Sequence, residues 1–285
     1  MMRWLLTLIF WLCASAAWAY VPPSDNLPDR LGDVSPPSGL QIIHPGGNEM
    51  ALFNGLLFSI KANEQNSGTL IDQITGAPVA GKYTWEATNG VNLKTSDHIL
   101  TLPRDQFNLP TGTVLFHFKG DGTPTSYGKF IAAPNDVDFQ ICRNGLDNEN
   151  TGTLTDINHS HGRVVFRGHV DLWDGNDHII VYRWSNGDVS NSVWGTDVRR
   201  QLIVDSLWFS EDDTAQVQST FSSDLSIGNR SSDTARSAGI TLYGAHVWDR
   251  VLTDAEITTL LSDPYAMFGQ LLSMLKKRTK TLVRF

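Results

Sequence analysis

The sequence predicts an all-β, antiparallel sandwich that closes on one short helix near its end. Three observations carry this expectation. Many short runs of β-branched and aromatic residues alternate with period two, turn dipeptides punctuate them, and a single capped amphipathic segment follows the last run. Strand-helix alternation of the α/β kind is missing, so a sandwich is preferred to a parallel sheet. With 285 residues and 41% hydrophobic content the chain can bury a single large core, and sandwiches of this size form one domain.

Residues 1–19 read as a secretory signal peptide. Arg3 precedes an apolar run from Trp4 to Leu12, and small residues lead to Ala17-Trp18-Ala19, with cleavage expected after Ala19. The run is shorter than the ~20 residues of a membrane-spanning helix. Residues 20–47, with Pro22-Pro23 and Pro36-Pro37, read as an extended linker or arm. The sandwich is expected over 48–263. Its clearest strands are Thr113–Lys119, Lys129–Ala132, Asp138–Arg143, Arg163–Asp171, His178–Trp184, Asp188–Trp194, Gln201–Phe209 and Gly239–Trp248. Asn186-Gly187 between two such runs is the strongest hairpin signal.

Thr253-Asp254-Ala255-Glu256 is a capping box, and Ile257, Leu260 and Leu261 then share one face, which predicts a helix ending near Ser262. In the tail, residues 264–285, Phe268, Leu271, Leu272 and Leu275 recur at helical spacing before Lys276, Lys277, Arg278, Lys280 and Arg284. This pattern suits a second helix whose basic end either caps the dipole or touches an anionic surface. After signal removal Cys142 is the one cysteine left, so no intramolecular disulfide is expected, and its alternating surroundings suit a buried thiol. The net charge of −8 argues against nucleic acid as a partner.

The segment Leu-Ser-Ile-Gly-Asn-Arg at 225–230, followed by Gly-Ile-Thr-Leu-Tyr-Gly-Ala-His-Val-Trp-Asp-Arg-Val-Leu-Thr-Asp-Ala-Glu-Ile at 239–257, resembles the closing pattern of laminin G-like domains. Those domains belong to the concanavalin A-like lectin and glucanase superfamily. The runs from Asp177 to Tyr182 and from Asp188 to Gly195 resemble the family's central hairpin, with Asn176-Asp177 and Trp194 departing from its usual letters. Leu70–Gly76 and Gly90–Leu93 resemble its opening strands. The resemblance spans 48–263 and implies an antiparallel jelly-roll β-sandwich with a short C-terminal helix. A closing Asp263-Pro264-Tyr265 is similar to copies in bacteriophage proteins, which adds a virion or fibre role as an alternative.

A hydrolytic relative would carry Glu-x-Asp-x-x-Glu on a central strand, and this chain has no such triad. A non-catalytic module that binds a glycan or another extracellular ligand is therefore expected, with a structural protein and a divergent glycosidase as alternatives. Stacking on a pyranose requires aromatic faces beside fixed polar groups, which nominates Trp173, Trp184, Trp194 and Trp208 with Asp174 and Asn176. The resemblance also implies a possible calcium ion at a loop rim, with Asp121, Asp171, Asp174 and Asp177 as ligands. The Asp-Gly turns at these positions have a plain structural use as well. His159-Ser160-His161 reads as a solvent-facing loop, and His117 as a satisfied sheet residue.

Overall fold

The computed structural model describes residues 52–104, 109, 111–122, 128–133, 139–142, 156–159, 162–165, 172–185, 200–211, 224–229 and 237–268. The expected signal peptide and arm, Asp171, Trp194, Asn186-Gly187 and most of the basic tail lie outside them.

Fifteen strands and one helix are described. They run β1 (Leu56–Lys61), β2 (Gly81–Lys82), β3 (Thr84–Trp85), β4 (Val91–Leu93), β5 (Ile99–Leu102), β6 (Thr111–Lys119), β7 (Lys129–Ala132) and β8 (Phe139–Cys142). Next come β9 (Asp156–His159), β10 (Gly162–Val165), β11 (Asp177–Ser185), β12 (Arg200–Val204), β13 (Leu207–Glu211), β14 (Leu225–Ile227), β15 (Ile240–Trp248) and helix α1 (Asp254–Ser262). All pairings are antiparallel. One sheet has the order β13-β12-β11-β6-β15-β4-β3, with β1 also on β15; the other has the order β10-β9-β8-β7-β14-β5-β2.

Strand alternation explains how these sheets are held. Val114, Phe116 and Phe118 of β6 and Ile180, Tyr182 and Trp184 of β11 point to one face. There they meet Leu100, Leu102, Phe130, Ile131, Ile141, Leu225 and Ile227 of the second sheet in one core. Each fully buried side chain of this size contributes about 1.5–3 kcal/mol. Gly112 is required by its partner: a Cβ there would sit 2.4 Å from the Trp184 ring.

The intervening residues Leu115, Val181, Ile203 and Trp248 point the other way. They form a second core with Leu52, Leu56, Leu252, Met267 and, from α1, Ile257 and Leu260. Helix α1 thus covers part of the outer face of the first sheet. Its capping box is present as the sequence predicts, with Thr253 accepting from the Glu256 amide and Glu256 accepting from the Thr253 amide. Arg250 forks onto both Glu256 oxygens at 2.9 and 2.6 Å and donates to the Asn54 carbonyl, tying α1 to the turn before β1. Residues 266–268 begin another helical turn.

Two expectations are corrected. Gln201–Phe209 is two strands, because Asp205, with φ 52°, turns the chain back and its carboxylate caps the Ile179 amide at 2.9 Å. Leu70–Gly76 is a turn with isolated bridges, organised by Asp72, which accepts from the Ser59 and Ile74 amides and the Thr75 hydroxyl. Of Arg163–Asp171, residues 163–165 lie in β10 and residues 166–171 lie outside the described residues. Among the described residues, no helix is long and apolar enough to cross a membrane.

Candidate functional site

Arg183 is the one charged residue in the middle of β11, and alternation sends it to the outer face, where it is fully buried. Its guanidinium is held on three sides. Nε donates to Gln201 Oε1 at 2.7 Å, Nη1 to the Leu252 carbonyl at 2.6 Å, and Nη2 to Asp254 Oδ1 at 2.5 Å. Burial pushes its pKa down, against the hydrogen bond and charge of Asp254. The Trp208 ring of β13 lies against this group, with Arg183 Cζ 5.5 Å from the ring centroid.

A cation at that position supports an indole by about 0.5–2 kcal/mol. Trp208 keeps 38% of its surface exposed, and its neighbour Leu207 keeps 47%; these are the exposed large hydrophobic side chains among the described residues. The result is an aromatic face fixed from beneath on the strand that ends the sheet among the described residues. The largely exposed Asp254 carboxylate lies beside the same guanidinium. An apolar plane next to a fixed acceptor is what the two sides of a pyranose require.

The other nominated aromatics are placed differently. Trp184 is 1% exposed, stacks on Tyr182 and donates from Nε1 to the Leu109 carbonyl at 3.2 Å, so it is a core residue and not a platform. Its inward position follows from the alternation that turns Arg183 outward. Trp173 is half-buried against Phe130, and its Nε1 donates to the Ala238 carbonyl at 2.9 Å. It pins the turn that precedes β11.

That turn carries Asp174 and Asn176. Asp174 accepts from the Asn176 amide and side chain, both at 2.8 Å, and from His178 Nε2 at 3.1 Å. The Asn176 bonds, followed by His178, hold the Asp174 carboxyl down at about 2. The turn is therefore closed on itself by its own polar groups.

Asp121 and Asp177 border the part of the outer face beyond α1. Lys94 places its ammonium 2.7 Å from Glu86 and 2.8 Å from Asp121, and Asp121 also accepts from the Thr241 hydroxyl at 3.0 Å. Burial alone would lower the Lys94 pKa, but the two carboxylates outweigh it and raise it. The ammonium thus supplies the positive charge at these two carboxylates. Among the described residues, no three acidic, histidine or cysteine side chains gather as a metal would need.

Tyr243, the extra residue where β15 shifts register against β6, stands next to this network. Burial and then Asp177, Asp121 and Glu86 push its phenol up to about 12, so it stays a neutral hydroxyl. His117 lies beside it with ring centroids 5.1 Å apart and shares a 3.1 Å hydrogen bond with the Tyr265 hydroxyl. Ser59 Oγ and His246 Nδ1 are 2.8 Å apart, yet both residues are fully buried, which rules the pair out as a nucleophile facing a substrate.

Arg183 was missed by the sequence reading, although a lone charge inside the apolar run His-Ile-Ile-Val-Tyr-Arg-Trp was a visible signal for it. The Lys94 network had no local signal.

No family model matches the chain, and no curated protein does. Solved structures do. Trypanosoma rangeli sialidase in complex with 2,3-difluorosialic acid shares 16% identity over 74% of this chain and 33% of the sialidase chain, with a TM-score of 0.53. The receptor binding domain of botulinum neurotoxin C/D mosaic serotype shares 12% identity over 73% of this chain and 51% of its own, with a TM-score of 0.50. This chain thus spans about a third of the sialidase and half of the toxin domain. At these identities the likeness is one of fold, a mostly β, antiparallel architecture.

Proposed function

We propose that the chain is a non-catalytic binding module of the jelly-roll type, exported by its N-terminal segment, which recognises carbohydrate through Trp208. The observation that carries this is the exposed Trp208 face held on the buried, triply bonded Arg183. Fixing a stacking surface before the ligand arrives removes part of the ordering cost of binding. The fold is shared with a sialidase solved with a sialic acid derivative and with a toxin's receptor binding domain, and this supports a glycan partner. Lys94 bridges Glu86 and Asp121 and offsets one of their two charges, so this pair is a strut within the fold.

The test is a glycan array probed with the purified chain, with and without a calcium chelator. Binding to a defined set of glycans is expected. Loss of that set on chelation would make recognition calcium-dependent, and its retention would assign recognition to the aromatic platform alone. An assembly role is the second reading, favoured by the exposure of Leu207 and Trp208 on the terminal strand. No glycan binding in either condition, together with concentration-dependent oligomers in sedimentation, would favour it.

A further inference from the structure

The first turn of α1 meets Trp208 at the Arg183 guanidinium, and the charge it turns to solvent there is negative. Asp254, the first residue of the helix, keeps 62% of its side chain exposed while its Oδ1 accepts from Arg183 Nη2. Arg183 is fully buried, and each of its three nitrogens already donates within the protein. The guanidinium therefore braces the indole from beneath and cannot reach a ligand lying on the exposed side. Arg250, the other guanidinium at this end of the helix, is forked onto both oxygens of Glu256. A helix N-terminus favours anions, but here Asp254 and Glu256 in the first turn already answer the dipole.

We infer that the Trp208 site takes an uncharged hexose and turns away acidic sugars, with Asp254 as the residue that sets this specificity. The inference rests on the reading of Trp208 as a carbohydrate platform. A pyranose lays its C–H face on an indole and turns its hydroxyls to the rim. An ionised carboxylate has about four lone-pair sites, and the bond from Arg183 uses one, so sugar hydroxyls can donate to those that face solvent. A sugar carboxylate or sulfate in the same place would set an acceptor and a like charge against Asp254, while Arg183 and Arg250 are committed to Asp254 and Glu256. A glycan ending in sialic acid, the class of ligand held by the structurally similar sialidase, is by this reasoning disfavoured.

The test uses trisaccharides ending in glucose, galactose or mannose, each beside its counterpart oxidised at C6 of that residue to the uronic acid. Binding to the purified chain is read from the shift of the Trp208 indole resonance. At low ionic strength the uronic member of a bound pair is expected to bind about fivefold more weakly, the repulsion of two charges about 4 Å apart in water. About 1 M salt, which shortens the screening length to about 3 Å, should close that gap. Asp254→Asn keeps an oxygen for Arg183 Nη2 and removes the charge, so its two members should bind alike at low salt. The salt series on the unaltered chain carries the test if that variant loses its fold. A uronic member bound as tightly as its neutral counterpart, or more tightly, would overturn the inference and leave Trp208 as the platform. A gap unchanged by salt would assign the preference to fit and not to charge, and would also overturn it. An indole resonance unmoved by every probe would overturn the carbohydrate reading itself and the inference with it.

Discussion

Arg183→Met is expected to lower the free energy of unfolding by about 2 kcal/mol, because it takes a charged donor from the Gln201 oxygen and the buried end of the Leu252 carbonyl while Asp254 stays largely exposed. Methionine keeps an unbranched apolar stem, so the effect isolates the guanidinium. It removes the bonds to Gln201, the Leu252 carbonyl and Asp254, and with them the tie between β11 and the start of α1. It also removes the cation beneath Trp208. Arg183→Lys is expected to recover only part of the loss, because one ammonium cannot reproduce the planar fork that meets acceptors on three sides. Urea denaturation at neutral pH gives the energies, and a red shift of indole emission would report the loosened Trp208.

Acidification is expected to destabilise the fold through His246. This residue is fully buried among Trp248, Tyr265 and Phe268, and burial, then the nearby His117, pushes its pKa down to about 3 from the ordinary 6.5. The unfolded chain therefore takes up a proton that the folded state refuses. Stability is full above pH 6.5 and falls by about 1.4 kcal/mol for each pH unit below it, roughly 3 kcal/mol by pH 4. His117 is lowered in the same sense, first by burial. His246→Asn keeps a polar atom for Ser59 and cannot titrate, so its urea midpoint should vary less steeply between pH 6.5 and 4 than that of the unaltered chain. Equal slopes would remove His246 as the cause.

Much of this fold was legible in the sequence because it is written locally. The alternation in Thr113–Lys119 and His178–Trp184 fixes which side chains enter the core, and the Thr253–Glu256 capping box fixes where α1 starts. What was not legible depends on partners distant in the chain. Lys94 and Asp121 are 27 residues apart, as are His178 and Asp205, and no periodicity connects them. Asp205-Ser206 interrupts the apolar run Gln201–Phe209 and is a turn signal of ordinary strength. Among the tryptophans the sequence could not separate the buried Trp184 from the exposed Trp208. The separation needs the register of β11 against β12 and β13, which sends Trp184 inward and Trp208 outward.

Recognition is proposed to rest on the exposed Trp208 face. Its most direct test is to titrate the strongest glycan from the array into the unaltered chain and into Trp208→Ala, with circular dichroism confirming the same fold for both. Affinity should fall by about thirtyfold, the loss typical of a tryptophan at the centre of an interface, and the Trp208 indole signal should shift in the unaltered chain on saturation. Equal affinity in the two chains, with an unmoved indole signal, would show that Trp208 takes no part in recognition.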